Sequence, residues 1–418
     1  MKTILTSIAI SMAAGSLLAT LATAQTPRYI VTDLGTLGGT VGSGNGINYE
    51  GRVAGAANLP NGTSHAFLSG PGVMYDLGTL GGPNSSEGGL NASNQLAVFA
   101  ETSKTDPSSE NFCGFGTSNI CLAAMWNGTM TALPTLGGNN SIAYSINNQG
   151  QVAGAAETGT KDPTCVSPQV LRFEAALWGP AGQVQELPPL PGDTVGAANW
   201  VNNYGQVVGS SGTCASGGVY PDFGGPHAVM WQNGVPTNLG NLGGAMLTLG
   251  ASINDFGAVT GCADLASEIP GFPFVQIHPF LWTQAAGMQD LGTVGTDFSG
   301  LPFGINNNAQ VVGASCDDMG NCRAFVYQNK TMMDLNALVP AGSPLYLTFA
   351  IVINDAGEIA GQAMDKSTGE MHAFVATPIP AAAAAGDFEP ASPDLSRPMI
   401  LSEDVRKTIR GRLGMRGR

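Results

Sequence analysis

A nine-residue phrase recurs seven times along this chain and fixes most of what it can become. It couples Ile-Asn, or a close variant, to a polar turn and a strand ending in Gly. It reads INYEGRVAG at 47–55, LNASNQLAV at 90–98, INNQGQVAG at 146–154, VNNYGQVVG at 201–209, INDFGAVTG at 253–261, INNNAQVVG at 305–313 and INDAGEIAG at 353–361. The copies lie 43 to 56 residues apart, a period that belongs to repeat architectures. A second landmark follows each copy: HAFLS at 65, AAMW at 123, AALW at 175, HAVMW at 227, HPFLW at 278, RAFVY at 323 and HAFVA at 372. A third, DLGTLGG, stands at 33 and 76, and in altered form at 133, 187, 238, 290 and 334.

Each unit resolves into four short strands. Strand A is rich in small residues and runs into Ile-Asn; an Asn-x-x-Gly turn leads to strand B, the Val-x-Gly run. Strand C is His-Ala-Phe-Leu-Trp, and strand D ends in Asp-Leu-Gly-Thr-Leu-Gly-Gly. Four strands in about 50 residues, repeated seven times, predict an all-β chain forming a seven-bladed β-propeller of four-stranded blades. A linear β-solenoid is the competing architecture, and the phase of the repeat speaks against it. The chain opens on an orphan strand D, Tyr29 to Leu37, and closes on an orphan A-B-C set, about Leu345 to Thr377. Together these make one blade, so an N-terminal strand completing the last blade would lock a ring, whereas a solenoid calls for distinct caps.

Composition agrees. Glycine supplies 59 of 418 residues and charged residues only 11%, against a usual share near 25%. That sparse charge excludes a long solvated helix, and the glycines lack the three-residue period of collagen. Between residues 25 and 380 only eight basic residues face 25 acidic ones. A body this acidic repels phosphate backbones, so nucleic acid is not an expected partner.

Residues 1–24 read as a signal peptide: Lys2, an apolar stretch from Ile4 to Leu21, and Ala22-Thr23-Ala24 as a small-x-small cleavage site. A mature chain from Gln25 carries no further apolar run long enough for a transmembrane helix, and is expected to be secreted, extracellular or periplasmic. The seven cysteines suit that setting. Cys113 with Cys121, and Cys316 with Cys322, are spaced to close small loops as disulfides; two of Cys165, Cys214 and Cys262 can pair, leaving one over. Residues 381–396 read as a flexible linker, and 402–418 as a polar tail that turns basic, with a short helix suited to an anionic surface such as the acidic body itself.

These three motifs in register resemble the HAF-repeat family of extracellular bacterial proteins. The triplet is intact at His65-Ala66-Phe67 and His372-Ala373-Phe374, and degenerate at His227, His278 and Arg323. The resemblance spans about residues 29 to 377. It implies secretion and a repeat scaffold, and brings with it no established reaction, ligand or catalytic residue.

No catalytic residue is predicted. All four histidines, His65, His227, His278 and His372, hold the same place in strand C. A group that recurs blade after blade reads as structural, hydrogen-bonded to a neighbouring loop. Asp33, Asp76, Asp290 and Asp334 recur likewise and read as turn residues; Trp126, Trp178, Trp231 and Trp282 read as packing between blades. No cofactor and no metal is expected: Asp317-Asp318-Met319-Gly320-Asn321 lacks the spacing and closing Glu of a calcium loop.

Function is expected where the repeat varies, in the B–C inserts at about 99–121, 155–173, 210–226, 262–277 and 314–322. That face would carry Glu101, Asp106, Glu110, Glu157, Asp162, Asp222, Asp264, Glu268, Asp317 and Asp318 beside several aromatics. The candidate ligand-binding residues are Tyr220, Asp222, Phe223, Asp264, Phe272, Phe274 and Phe298, aromatics and carboxylates suited to stacking on sugars and hydrogen-bonding them. The expected role is a monomeric, non-enzymatic binding or interaction scaffold for an extracellular glycan or cell-envelope protein. The alternative is a secreted hydrolase or lyase acting on polysaccharide, which requires two insert carboxylates to converge.

Overall fold

The computed structural model describes residues 27–215, 225–266, 276–380, 397–403 and 405–407. Seven four-stranded antiparallel sheets follow one another around a ring: blade 1 spans 42–76, blade 2 81–132, blade 3 137–187, blade 4 195–238, blade 5 243–290, blade 6 299–334 and blade 7 345–378. The chain is a seven-bladed β-propeller. Blade 7 takes its outer strand from the start of the chain. Tyr29–Gly35 lies antiparallel to Met371–Pro378, with Tyr29 opposite Pro378 and Asp33 opposite Phe374. The orphan strands of the sequence thus complete one sheet.

The two main motifs of the repeat meet inside each blade. Strand A breaks register near its end, between Gly44 and Gly46 in blade 1 and between Ala350 and Val352 in blade 7. This bulge presses a strand-A carbonyl against the glycine of Val-x-Gly: a Cβ at Gly55 would overlap Ser43 O, and one at Gly361 would overlap Phe349 O. The phenylalanine of the His-Ala-Phe triplet covers the same glycine from strand C, Phe67 opposite Gly55 and Phe374 opposite Gly361. Both rings are fully buried. The Phe and the Gly are therefore one packing unit, which is why the two motifs recur together.

Apolar clusters fill the spaces between blades, for example Ala97, Ala123, Ile146, Val152 and Trp178 between blades 2 and 3. Trp178 and Trp231 are buried, and each indole N–H donates to a carbonyl in the connection that follows the preceding blade, Pro134 O at 2.8 Å and Pro188 O at 2.7 Å.

The asparagine of each Ile-Asn turn does two things at once. Its Oδ1 accepts from the backbone two and four residues on, as Asn202 does from Tyr204 and Gln206. Its Nδ2 crosses to the next blade. Asn91 donates to Asn147 O, Asn147 to Asn202 O, Asn202 to Asn254 O, Asn254 to Asn306 O, Asn306 to Asn354 O and Asn354 to Asn48 O, all at 2.9–3.1 Å. The seventh link differs: Asn48 Nδ2 donates to Asn94 Oδ1 at 3.1 Å. A second tier runs beside the first from blade 2 to blade 7, from Ala92 N to Asn148 Oδ1, then through Asn203, Asp255 and Asn307 to Asp355. These tiers encircle a cavity of about 230 Å³ at the centre of this face.

Candidate functional site

The recurrent polar residues have structural partners. His65 Nδ1 lies 2.8 Å from Asp76, His278 Nδ1 2.9 Å from Asp290, and His372 Nδ1 2.9 Å from Asp33. These aspartates also accept from the glycine two residues on, which shapes the turn after strand D. Blade 4 ends strand D on Asn238, and His227 turns instead to Asp193 in the loop before its own blade, at 2.9 Å. Blade 6 replaces His by Arg323, which is fully buried. It grips Asp297 through two bonds of 2.9 Å and reaches Asp334 at 3.3 Å. Desolvation acts to lower the Arg323 pKa and its two aspartates to raise it; the aspartates prevail.

The face carrying the B–C inserts is held by disulfides. Cys113–Cys121 and Cys316–Cys322 each close an insert, and Cys165–Cys214 ties the insert of blade 3 to strand B's end in blade 4. Cys262 is left over; it is buried, and burial pushes its thiol up to about 12. Residues 397–403 and 405–407 dock on this face as well. Met399 N donates to Tyr346 OH and Leu401 N to Asn321 Oδ1, and Leu401 and Val405 are buried against Cys316, Cys322 and Met371. The packed side chains of this contact are apolar; Arg410, Arg412, Arg416 and Arg418 of the basic tail lie outside the described residues.

Of the predicted ligand-binding residues, Tyr220, Asp222, Phe223, Phe272 and Phe274 lie outside the described residues. Phe298 is half-buried in the loop entering blade 6, its N–H donating to Cys316 O. Asp264, expected to face a ligand, is 2% exposed and accepts from Met246 N and Leu247 N; it orders strand A of blade 5. Asp317 closes its own turn, accepting from Met319 N, Asn321 N and Asn321 Nδ2.

Three insert carboxylates do converge. One oxygen from each of Asp106, Glu110 and Glu157 lies within 4.8 Å of the others, at the junction of blades 2 and 3. All three are buried, at 2%, 0% and 0% exposure. Burial pushes the Glu157 carboxyl up to about 7, with the charge of Glu110 adding to the effect, and burial likewise raises Glu110. A second group, Asp33, Asp365 and His372, is more open and could also offer three ligand atoms to an ion.

The opposite face, which carries the A–B turns, holds a groove of about 490 Å³ between blades 3 and 4. Amide side chains dominate its polar lining: Gln149, Gln151, Gln185, Asn203 and Asn233. Tyr204 stands at its rim, 77% exposed, and the buried Trp231 closes its floor. No Asp, Glu, Lys, Arg or His is among the described residues lining it. The sequence signal for this groove lay in plain view, as the tyrosine of VNNYGQVVG in a turn position that elsewhere holds small or polar residues or Phe256.

No family model and no curated protein sequence matches this chain. Among solved structures, a streptogramin B lyase aligns over 84% of this chain and 98% of its own, at 10% identity and a TM-score of 0.49. A puromycin hydrolase aligns over 83% of this chain and 53% of its own, at 13% identity and a TM-score of 0.45. The β-propeller domain of the Trilobed protease from Pyrococcus furiosus, described as having an open velcro topology, aligns over 88% of this chain and 97% of its own, at 8% identity and a TM-score of 0.43. At such identities the likeness is one of propeller architecture and extends to nothing else. Among the described residues, no helix is long and apolar enough to cross a membrane.

Proposed function

We propose that this protein is a secreted, non-enzymatic propeller of the HAF-repeat type that binds a neutral glycan in the groove between blades 3 and 4. One observation carries the reading: the groove combines five amide side chains and an exposed tyrosine with no ionisable acid or base suited to catalysis at neutral pH. Amides donate and accept at once, matching the paired donor and acceptor character of sugar hydroxyls, and an aromatic ring offers an apolar face for the sugar ring. Secretion is supported by the leader at 1–24 and by three disulfides, which persist in oxidising compartments. The hydrolase alternative needs carboxylates open to substrate; the converging insert carboxylates Asp106, Glu110 and Glu157 are buried, and in the more open group Asp33 is paired with His372.

A glycan array probed with the full chain tests the proposal. Neutral oligosaccharides are expected to bind, and Tyr204→Ala combined with Gln185→Ala is expected to lower affinity at least tenfold, the loss of about 1.4 kcal/mol. Binding that survives this pair but is lost with alanines at Tyr220, Phe223, Phe272 and Phe274 would move the site to the insert face.

A further inference from the structure

The cluster of Asp106, Glu110 and Glu157 is arranged as a cation site. Its parts come from three places: Asp106 and Glu110 from the insert of blade 2, Glu157 from strand B of blade 3, and Gln169 from the insert of blade 3. The carboxylates are held by donors that leave ligand positions over. Asp106 Oδ1 accepts from Ser108 N and Glu110 N, and Oδ2 from Asn140 Nδ2. Glu110 Oε1 accepts from Val170 N and Leu171 N, both at 2.7 Å. Glu157 Oε2 accepts from Asn139 N, Asn140 N and Asn140 Nδ2, and its Oε1 from Gln169 Nε2 at 2.9 Å.

Every one of these donors is neutral. Among the described residues no lysine or arginine is bonded to the three carboxylates, and buried like charges at this range repel strongly. Two further buried oxygens lack any donor: Glu110 Oε2, and Oε1 of Gln169, a residue 3% exposed whose amide nitrogen already touches Glu157. A carboxylate oxygen and an amide carbonyl oxygen left without donors in a buried site, beside two more carboxylates, have the composition of a hard-cation ligand set.

We propose that Asp106, Glu110, Glu157 and the Gln169 carbonyl bind a calcium ion that fastens the insert of blade 2 to that of blade 3. Oxygen-only donors, a mixture of carboxylate and carbonyl, and ligands drawn from separate loops suit Ca²⁺ better than the smaller, strictly octahedral Mg²⁺. The ion would supply the positive charge that the neutral donors do not. It would also bridge the two loops that Cys113–Cys121 and Cys165–Cys214 pin at their other ends.

The test needs no variant at first. Calcium chloride is titrated calorimetrically into the EDTA-treated full chain at pH 7.5, and thermal unfolding is followed in calcium and in EDTA. The expected result is one Ca²⁺ per chain and a higher melting temperature in calcium; at a hundred times Kd the folded-to-unfolded ratio rises about a hundredfold. Glu110→Gln should abolish the heat. Asp317→Asn and Asp365→Asn should leave it unchanged, which places the ion at the cluster. Absence of heat, with identical melting in calcium and EDTA, overturns the proposal. An equal response to Mg²⁺ overturns the assignment to calcium.

Discussion

The two faces of the ring are built on opposite plans. On the A–B face the same asparagine stands in every blade, and in six of the seven its amide reaches the backbone carbonyl of the next turn. On the B–C face no two inserts match. Their order comes from Cys165–Cys214, the Glu110 carboxylate gripping Val170 N and Leu171 N, and Arg323 with its two aspartates. Repetition gives closure at low cost in sequence information, because one residue type solves the same problem in every blade. Variation gives the inserts of blades 2, 3 and 6 cross-links of their own.

The largest effect should come from the varied face. Replacing Cys165 and Cys214 by Ser releases a crosslink spanning 49 residues and should cost about 2–4 kcal/mol, read by denaturant unfolding. Limited proteolysis should then cut first within 162–170. Equal loss of protection on the A–B face would show that the two faces do not behave separately.

A pH titration probes the same face by charge. Burial, first of all, holds Glu157 and Glu174 up to about 7, above their ordinary 4.5. Between these values the folded chain binds more protons than the unfolded one, so stability falls as pH rises from about 4.5 to about 7. In chelator the decline is expected to be at most on the order of 3 kcal/mol for Glu157, and Glu157→Gln should remove its share. A flat profile in the parent would contradict the burial of these acids.

On the repeated face, Asn254→Ala deletes both the turn bond to Phe256 and Ala258 and the bridge to Asn306. A cost of about 1–2 kcal/mol is expected from chemical denaturation. Asn48→Ala, whose amide nitrogen meets a side chain rather than a backbone carbonyl, should cost less. Equal costs at both sites would mean that a side-chain acceptor serves the blade-to-blade bond as well as a backbone carbonyl does. The smallest effect belongs to His65→Ala, since its partner Asp76 is exposed; less than about 1 kcal/mol is expected.

The ring, the four-stranded blades and their closure were legible in the sequence because each depends on residues that recur at a fixed offset. The histidines and aspartates were legible as structural because they recur, but their partners were not: His227 meets Asp193 and Asp334 meets Arg323, where the other three pairs join strand C to the aspartate ending strand D. The second half of each asparagine was hidden. Its Oδ1 satisfies the turn that sequence reveals, while its Nδ2 reaches a carbonyl some fifty residues away, such as Asn254 from Asn202. The carboxylate cluster was hidden too. Asp106 stands in the insert of blade 2 and Glu157 in strand B of blade 3, and only the packing of one blade on the next brings them together. Asp264 illustrates the converse: in an insert it looked free, yet two backbone amides of the adjoining strand claim it.

The strand that completes blade 7 sets an order of events. Tyr29–Gly35 comes first in the chain among the described strands, and Asp33 finds His372 across 339 residues of chain. Until six further blades exist, that strand has no partner, and when blade 7 forms, the edge of Met371–Pro378 stays open until it arrives. Ring closure is therefore a late, long-range step, and the exposed edge during that wait is the moment at which two unfinished chains could exchange their first strands.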